Sequence, residues 1–131
     1  MPSRRIALVP ELEKLPRPLA RWILASIAED TVHSIRTRRM AISRAEDIVF
    51  NLDVLSFCRG KLRDKNLRWI IEYGMELSDL DRLVGKPSEL VKACTEIEER
   101  LRDYTASMYT SGDTPPKMIR ALTRKVYAAT G

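Results

Sequence analysis

Apolar residues in this chain recur at intervals of three and four in run after run, and no stretch sustains a two-residue alternation. That is the period of a helix buried on one side, so the pattern supports helices packed on helices and no sheet. Proline and glycine fall mostly between the periodic runs, where helices begin and end. The expectation is an all-α fold. It is a single compact domain of about six helices, with an irregular basic N-terminal arm and a possible helix-turn-helix. At 131 residues one domain is the natural count, and it can bury a core without staples.

Residues 1–17 read as the arm, because Pro2, Pro10, Pro16 and Pro18 interrupt a continuous helix. The helical domain takes 18–131. Its first helix, 18–36, carries Leu19, Trp22, Ile23 and Ile27 at helical spacing. Ser43 and Glu46 have the spacing of a capping box and start a second helix, 44–59, with Ile48, Leu52 and Leu55 on its apolar stripe. Gly60 weakens its end. Asp64 caps a third helix, 65–73, closed by Gly74. Ser78 caps a short fourth, 79–84, stopped by Gly85. Pro87 opens a long fifth, 87–109, with Leu90, Val91, Cys94, Ile97, Leu101 and Tyr104 on one face and Glu96, Glu98 and Glu99 in solvent. Residues 110–113 form a loop. Thr114 and Pro115 start the last helix, 115–129, which carries Met118, Ile119, Leu122 and Val126.

The inventory for catalysis is thin. His33 is the only histidine, and it sits within a helical run. No phosphate loop, nucleophile elbow or metalloprotease motif is present, so no enzyme and no small-molecule substrate is expected. Cys58 and Cys94 stand far apart, with no CxxC and no Cys/His cluster. Neither a metal nor a cofactor is implied, and two buried thiols in a reducing cytoplasm is the simple reading. The start of the chain lacks the apolar stretch of a secretory leader, and no run is long enough to span a membrane.

Charge is unevenly spread. Residues 1–44 hold nine Lys/Arg and four Asp/Glu, residues 45–113 hold ten and fourteen, and residues 114–131 hold four and none. Basic ends on an acidic body suit a polyanionic partner. In the last helix Lys117, Arg120, Arg124 and Lys125 lie on or near one face, with Thr123 able to add a phosphate hydrogen bond. The other reading is a basic amphipathic tail that packs and solubilises. Arg36, Arg38 and Arg39 form a second cluster, which equally suits the negative end of a helix dipole or a phosphate. The stretch from Leu80 to Val91, turning at Gly85, has the apolar skeleton of a helix-turn-helix. Its outward Ser88, Glu89 and Glu96 suit scaffold better than a DNA reader. Trp69, Tyr73 and Met75, within the acidic middle, are candidate anchors for a protein partner.

Part of the chain resembles the FlhD family, the small helical subunit of the flagellar master transcription activator. Phe50-Asn51-Leu52-Asp53-Val54-Leu55, then Arg59, Asp64-Lys65 and Gly74-Met75, carry the likeness, which continues through Leu80, Leu83, Pro87, Leu90, Val91 and Lys92. The residues in front have no counterpart, and the C-terminal segment matches loosely. The resemblance implies an all-α homodimer that joins a second, zinc-containing regulatory subunit and contacts DNA near its C-terminus. Here that would be Thr114–Thr130. The expected function is a small cytoplasmic transcription-regulator subunit binding DNA through basic terminal segments. The alternative is a helical protein-interaction module that never meets nucleic acid.

Overall fold

Ten of the twenty residues of the helix Arg17–Arg36 are buried, spread around its circumference. A helix apolar on nearly every side belongs in the middle of a fold, and the computed structural model places it there. It describes residues 8–84, 86–110, 117 and 120–125. These form one compact all-α domain with no strand among the described residues. The elements are α1 (Leu8–Glu13), α2 (Arg17–Arg36), α3 (Ile42–Ile48), α4 (Leu52–Phe57), α5 (Lys65–Met75), α6 (Leu77–Asp79) and α7 (Pro87–Thr110). Residues 120–125 are helical as well. Two wide π-helical turns, Cys58–Leu62 and Leu80–Val84, extend α4 and α6.

The long helices pack against each other. Ala93, Cys94, Ile97, Leu101 and Tyr104 of α7 are buried at steps of one, three and four residues, and α7 lies along α2. Two residues depart from the expected division: Val91, expected on the buried face, is exposed, and Glu98, expected in solvent, is buried and pairs with Arg36 Nε at 3.0 Å. No described helix is long and apolar enough to cross a membrane.

The expected irregular arm holds a helix. Leu8 and Leu12 are one helical turn apart, and both are buried where α1 meets α2 and α4. Pro10 does not prevent it, because the first turn of a helix needs no internal N–H donors. Residues 1–7 lie outside the described part.

The expected helix 44–59 is two helices. Asn51 divides them: its Nδ2 donates to the carbonyls of Glu46 (2.9 Å) and Asp47 (3.3 Å), and its Oδ1 accepts from Val54 N–H (3.0 Å). One side chain thus ends α3 and caps α4. The Ser43–Glu46 capping box does not form. α3 begins at Ile42 without a side-chain cap, and the Glu46 carboxylate instead accepts from the Ser78 hydroxyl at 3.0 Å. Ser78 therefore lies inside α6 and is not its cap.

Gly74 was expected to stop its helix, but α5 continues to Met75. The residue is buried against Phe50, and a Cβ at this position would overlap the phenyl ring. Here glycine permits close approach. The expected cap at Asp64 is present, with Oδ1 accepting from Asn66 and Leu67 N–H, both at 3.0 Å. Just before it, Arg63 adopts the left-handed conformation at φ 49° and ψ 49°, and Arg38 has φ 61°. Such geometry costs an ordinary side chain about 1–2 kcal/mol and glycine almost nothing. Gly85, on which the helix-turn-helix reading turned, and the loop at 111–113 lie outside the described residues.

Candidate functional site

Within 120–125 the side chains divide by environment. Leu122 packs against the core and Thr123 is only 5% exposed, while Arg120, Arg124 and Lys125 are exposed, as is Lys117. The four expected cations do face solvent. Thr123 does not: its burial withdraws the hydroxyl from any phosphate. Nor is the cationic face free of acids, because the Arg120 charge acts on Asp30 of α2. Burial raises the Asp30 carboxyl above the usual range, and His33 and Arg120 pull it back down. Glu29 beside it is also raised, first by burial and then by the Asp30 charge. The seam between α2 and α7 joins Glu29, Asp30, His33, Arg36, Glu98 and Arg102 around one recess.

Arg36, Arg38 and Arg39 separate into two roles. Arg36 is half-buried, with Nε on Glu98 and Nη2 3.0 Å from His33 Nδ1. Its charge is thereby neutralised inside the seam. Arg38 and Arg39 are exposed past the end of α2, with their backbone N–H groups on the carbonyls of Ile35 and Ser34. The negative end of α2 accounts for cations here and leaves their side chains free in solvent.

A third basic region is not apparent from the segment charges of the sequence. Arg59, Lys61, Arg63 and Lys65 are all exposed at the turn after α4. Asp64, in their midst, faces inward. Its Oδ2 accepts from the Tyr104 hydroxyl at 2.6 Å and lies 3.5 Å from Arg21 Nε, while Arg21 Nη2 donates to the Leu62 carbonyl at 2.6 Å. Burial and the Asp64 carboxylate together raise the Tyr104 phenol far above its ordinary value. The only available signal was the run of cations at every second residue, and a segment-wide charge sum averages it away.

The proposed aromatic anchors are partly engaged within the fold. Trp69 meets Tyr73 edge-on at 5.0 Å and carries the Arg100 guanidinium 4.0 Å above its ring. The Tyr73 hydroxyl donates to Glu96 at 3.1 Å. These contacts tie α5 to α7. Met75 instead lines a separate groove of about 400 Å³ with Leu8, Val9, Pro10, Leu52 and Val54, edged by Glu46 and Asp47. Leu52 is 68% exposed there.

Among the described residues no group of three or more His, Cys, Asp or Glu could hold a metal ion. Cys58 and Cys94 are buried and free, and burial pushes their thiols up to about 12 and about 11. A thiol must ionise to act as a nucleophile. The folded protein is therefore expected to resist iodoacetamide at about pH 8, and the urea-unfolded chain to react at both cysteines. Equal rates in the two states would contradict this burial.

The family model "Protein of unknown function (DUF3969)" matches residues 23–120, three quarters of the chain and most of the helical core, and the chain belongs to that family. No curated protein and no solved structure matches it.

Proposed function

We propose that this member of the DUF3969 family is a DNA-binding helical subunit of a cytoplasmic transcription regulator, acting as a homodimer with a second regulatory subunit. Lys117, Arg120, Arg124 and Lys125 would hold the phosphate backbone, with Arg38 and Arg39 adding contacts. The observation that carries this reading is the division within 120–125. Leu122 and Thr123 anchor the segment, and its arginines and lysine are left in solvent. Bringing such a surface to a polyanion releases counterions from the DNA, which is the main source of sequence-independent affinity. Asp30 of α2 offsets part of the Arg120 charge. The resemblance of Phe50–Lys92 to FlhD-type subunits supports shared recognition with a partner.

The test is binding to a fluorescent duplex of about 30 base pairs at about 50 mM salt, where cationic contacts are strong. Changing Lys117, Arg120, Arg124 and Lys125 together to Ala is expected to weaken binding at least about tenfold, with the helical circular dichroism unchanged. Full affinity in that variant would remove the site.

A second reading is a protein-interaction module. The groove around the exposed Leu52 favours it, since an apolar floor edged by Glu46 and Asp47 suits an apolar segment flanked by cations. Absence of a DNA shift at about 50 mM salt, with a Leu52→Asp change abolishing capture of a partner, would favour this reading over the first.

A further inference from the structure

We infer that the turn Cys58–Leu62, with Arg63 and Lys65 after it, is a second phosphate-contacting surface for the same DNA. This inference rests on the DNA-binding reading. Residues 59–68 carry five cations and one acid. The fold sorts them. The Asp64 side chain is 11% exposed and occupied by Arg21, Tyr104 and two backbone N–H groups. Arg59 and Arg68 share Glu72 Oε1 at 3.6 and 3.4 Å. Lys61, Arg63 and Lys65 have no ion-pair partner among the described residues, and all three are exposed.

Two further observations point outward from this turn. Arg63 holds a left-handed backbone that glycine would adopt more easily. Its side chain is exposed and takes no part in the core, so the fold does not call for an arginine here. Beside it, Lys61 and Arg17 line one recess of about 160 Å³, in which Glu13 is the only carboxylate among the described residues. Arg17 stands at the positive end of the α2 dipole, which adds to the same field.

The chemistry favours nucleic acid over an acidic protein. Phe57, Cys58 and Leu62 are all buried, so the turn offers cations without an exposed apolar centre. Protein partners generally need such a centre, whereas DNA interfaces are polar and strongly positive. The backbone that carries the cations is also pinned, because Arg21 holds the Leu62 carbonyl and Asp64 N–H donates to Cys58 O at 3.1 Å.

The experiment compares the full chain, the triple variant Lys61→Gln/Arg63→Gly/Lys65→Gln, the four-fold terminal variant and a Lys92→Gln control. Each is titrated with the same fluorescent duplex over a range of salt. The triple variant should bind about tenfold more weakly, with a salt slope shallower by about 2–3, while the control is unchanged. Its melting temperature should be unchanged or raised, because Arg63→Gly relieves the left-handed backbone. Wild-type affinity and slope in the triple variant, with weakened binding in the four-fold variant, would overturn the turn surface and leave the terminal site standing. No DNA binding by the full chain would overturn both. Polyglutamate binding that the triple variant loses, with DNA binding retained, would assign the turn to an acidic protein and overturn the inference.

Discussion

Asp64→Ala is expected to lower the stability of the fold by about 2–4 kcal/mol, measured by urea unfolding. One carboxylate does several jobs here. Its Oδ1 caps α5, a role usually worth about 1 kcal/mol. Its Oδ2 is the acceptor for Tyr104, whose side chain is only 9% exposed. A buried hydroxyl without an acceptor costs about 1–3 kcal/mol. Arg21, drawn in to Asp64 and to the Leu62 carbonyl, loses its counter-charge as well. These contributions share one side chain and do not simply add. Tyr104→Phe should cost less, about 1–2 kcal/mol, because Asp64 Oδ2 loses a donor but keeps the Arg21 charge beside it and the α5 cap stays intact. If Asp64→Ala cost no more than an ordinary helix cap, the three-way junction of α2, α5 and α7 would not depend on it.

Phe50→Ala should cost about 3–5 kcal/mol, as large-to-small changes in a tight core do. Phe50 is 2% exposed and lies against Gly74. The pairing makes a sharper expectation for Gly74→Ala. In the natural chain the new methyl meets the ring, and overpacking of this kind costs about 1–3 kcal/mol. Alanine is the better helix former by about 1 kcal/mol, so the overlap reduces or outweighs that gain. Once Phe50 is already alanine the overlap is gone and the same change should stabilise. A double-mutant cycle reads this coupling directly. Additive effects of the two changes would contradict the contact.

The long helices were legible because their apolar period runs for many turns. The expected 18–36 and 87–109 differ from α2 and α7 by one residue at each changed end. Shorter elements depended on partners that periodicity cannot show. Asn51 reads as an ordinary helical position until its side chain is seen ending one helix and starting the next. Ser43 and Glu46 have the right spacing for a cap, but Glu46 is claimed by Ser78, which is 32 residues away. Gly74 looked like a stop because glycine often is one, and only Phe50 reveals the other reason for it. The candidate site was legible in part. The outward Arg124 and Lys125 follow from the helical repeat around Leu122, whereas the loss of Thr123 and Arg36 to the interior does not. The basic turn was hidden because counting Asp64 against its neighbours assumes that all of them face the same solvent.

The proposed contact of this chain with DNA through exposed cations predicts a steep dependence of binding on salt. If the four terminal cations each engage a phosphate, a plot of log affinity against log salt for the natural chain should fall with a slope of about −3.6 or steeper. Neutralising the four should make the slope shallower by about that amount and leave the contribution of the other cations. A flat salt response, or no binding to duplex DNA at about 50 mM salt, would contradict DNA binding through these cations.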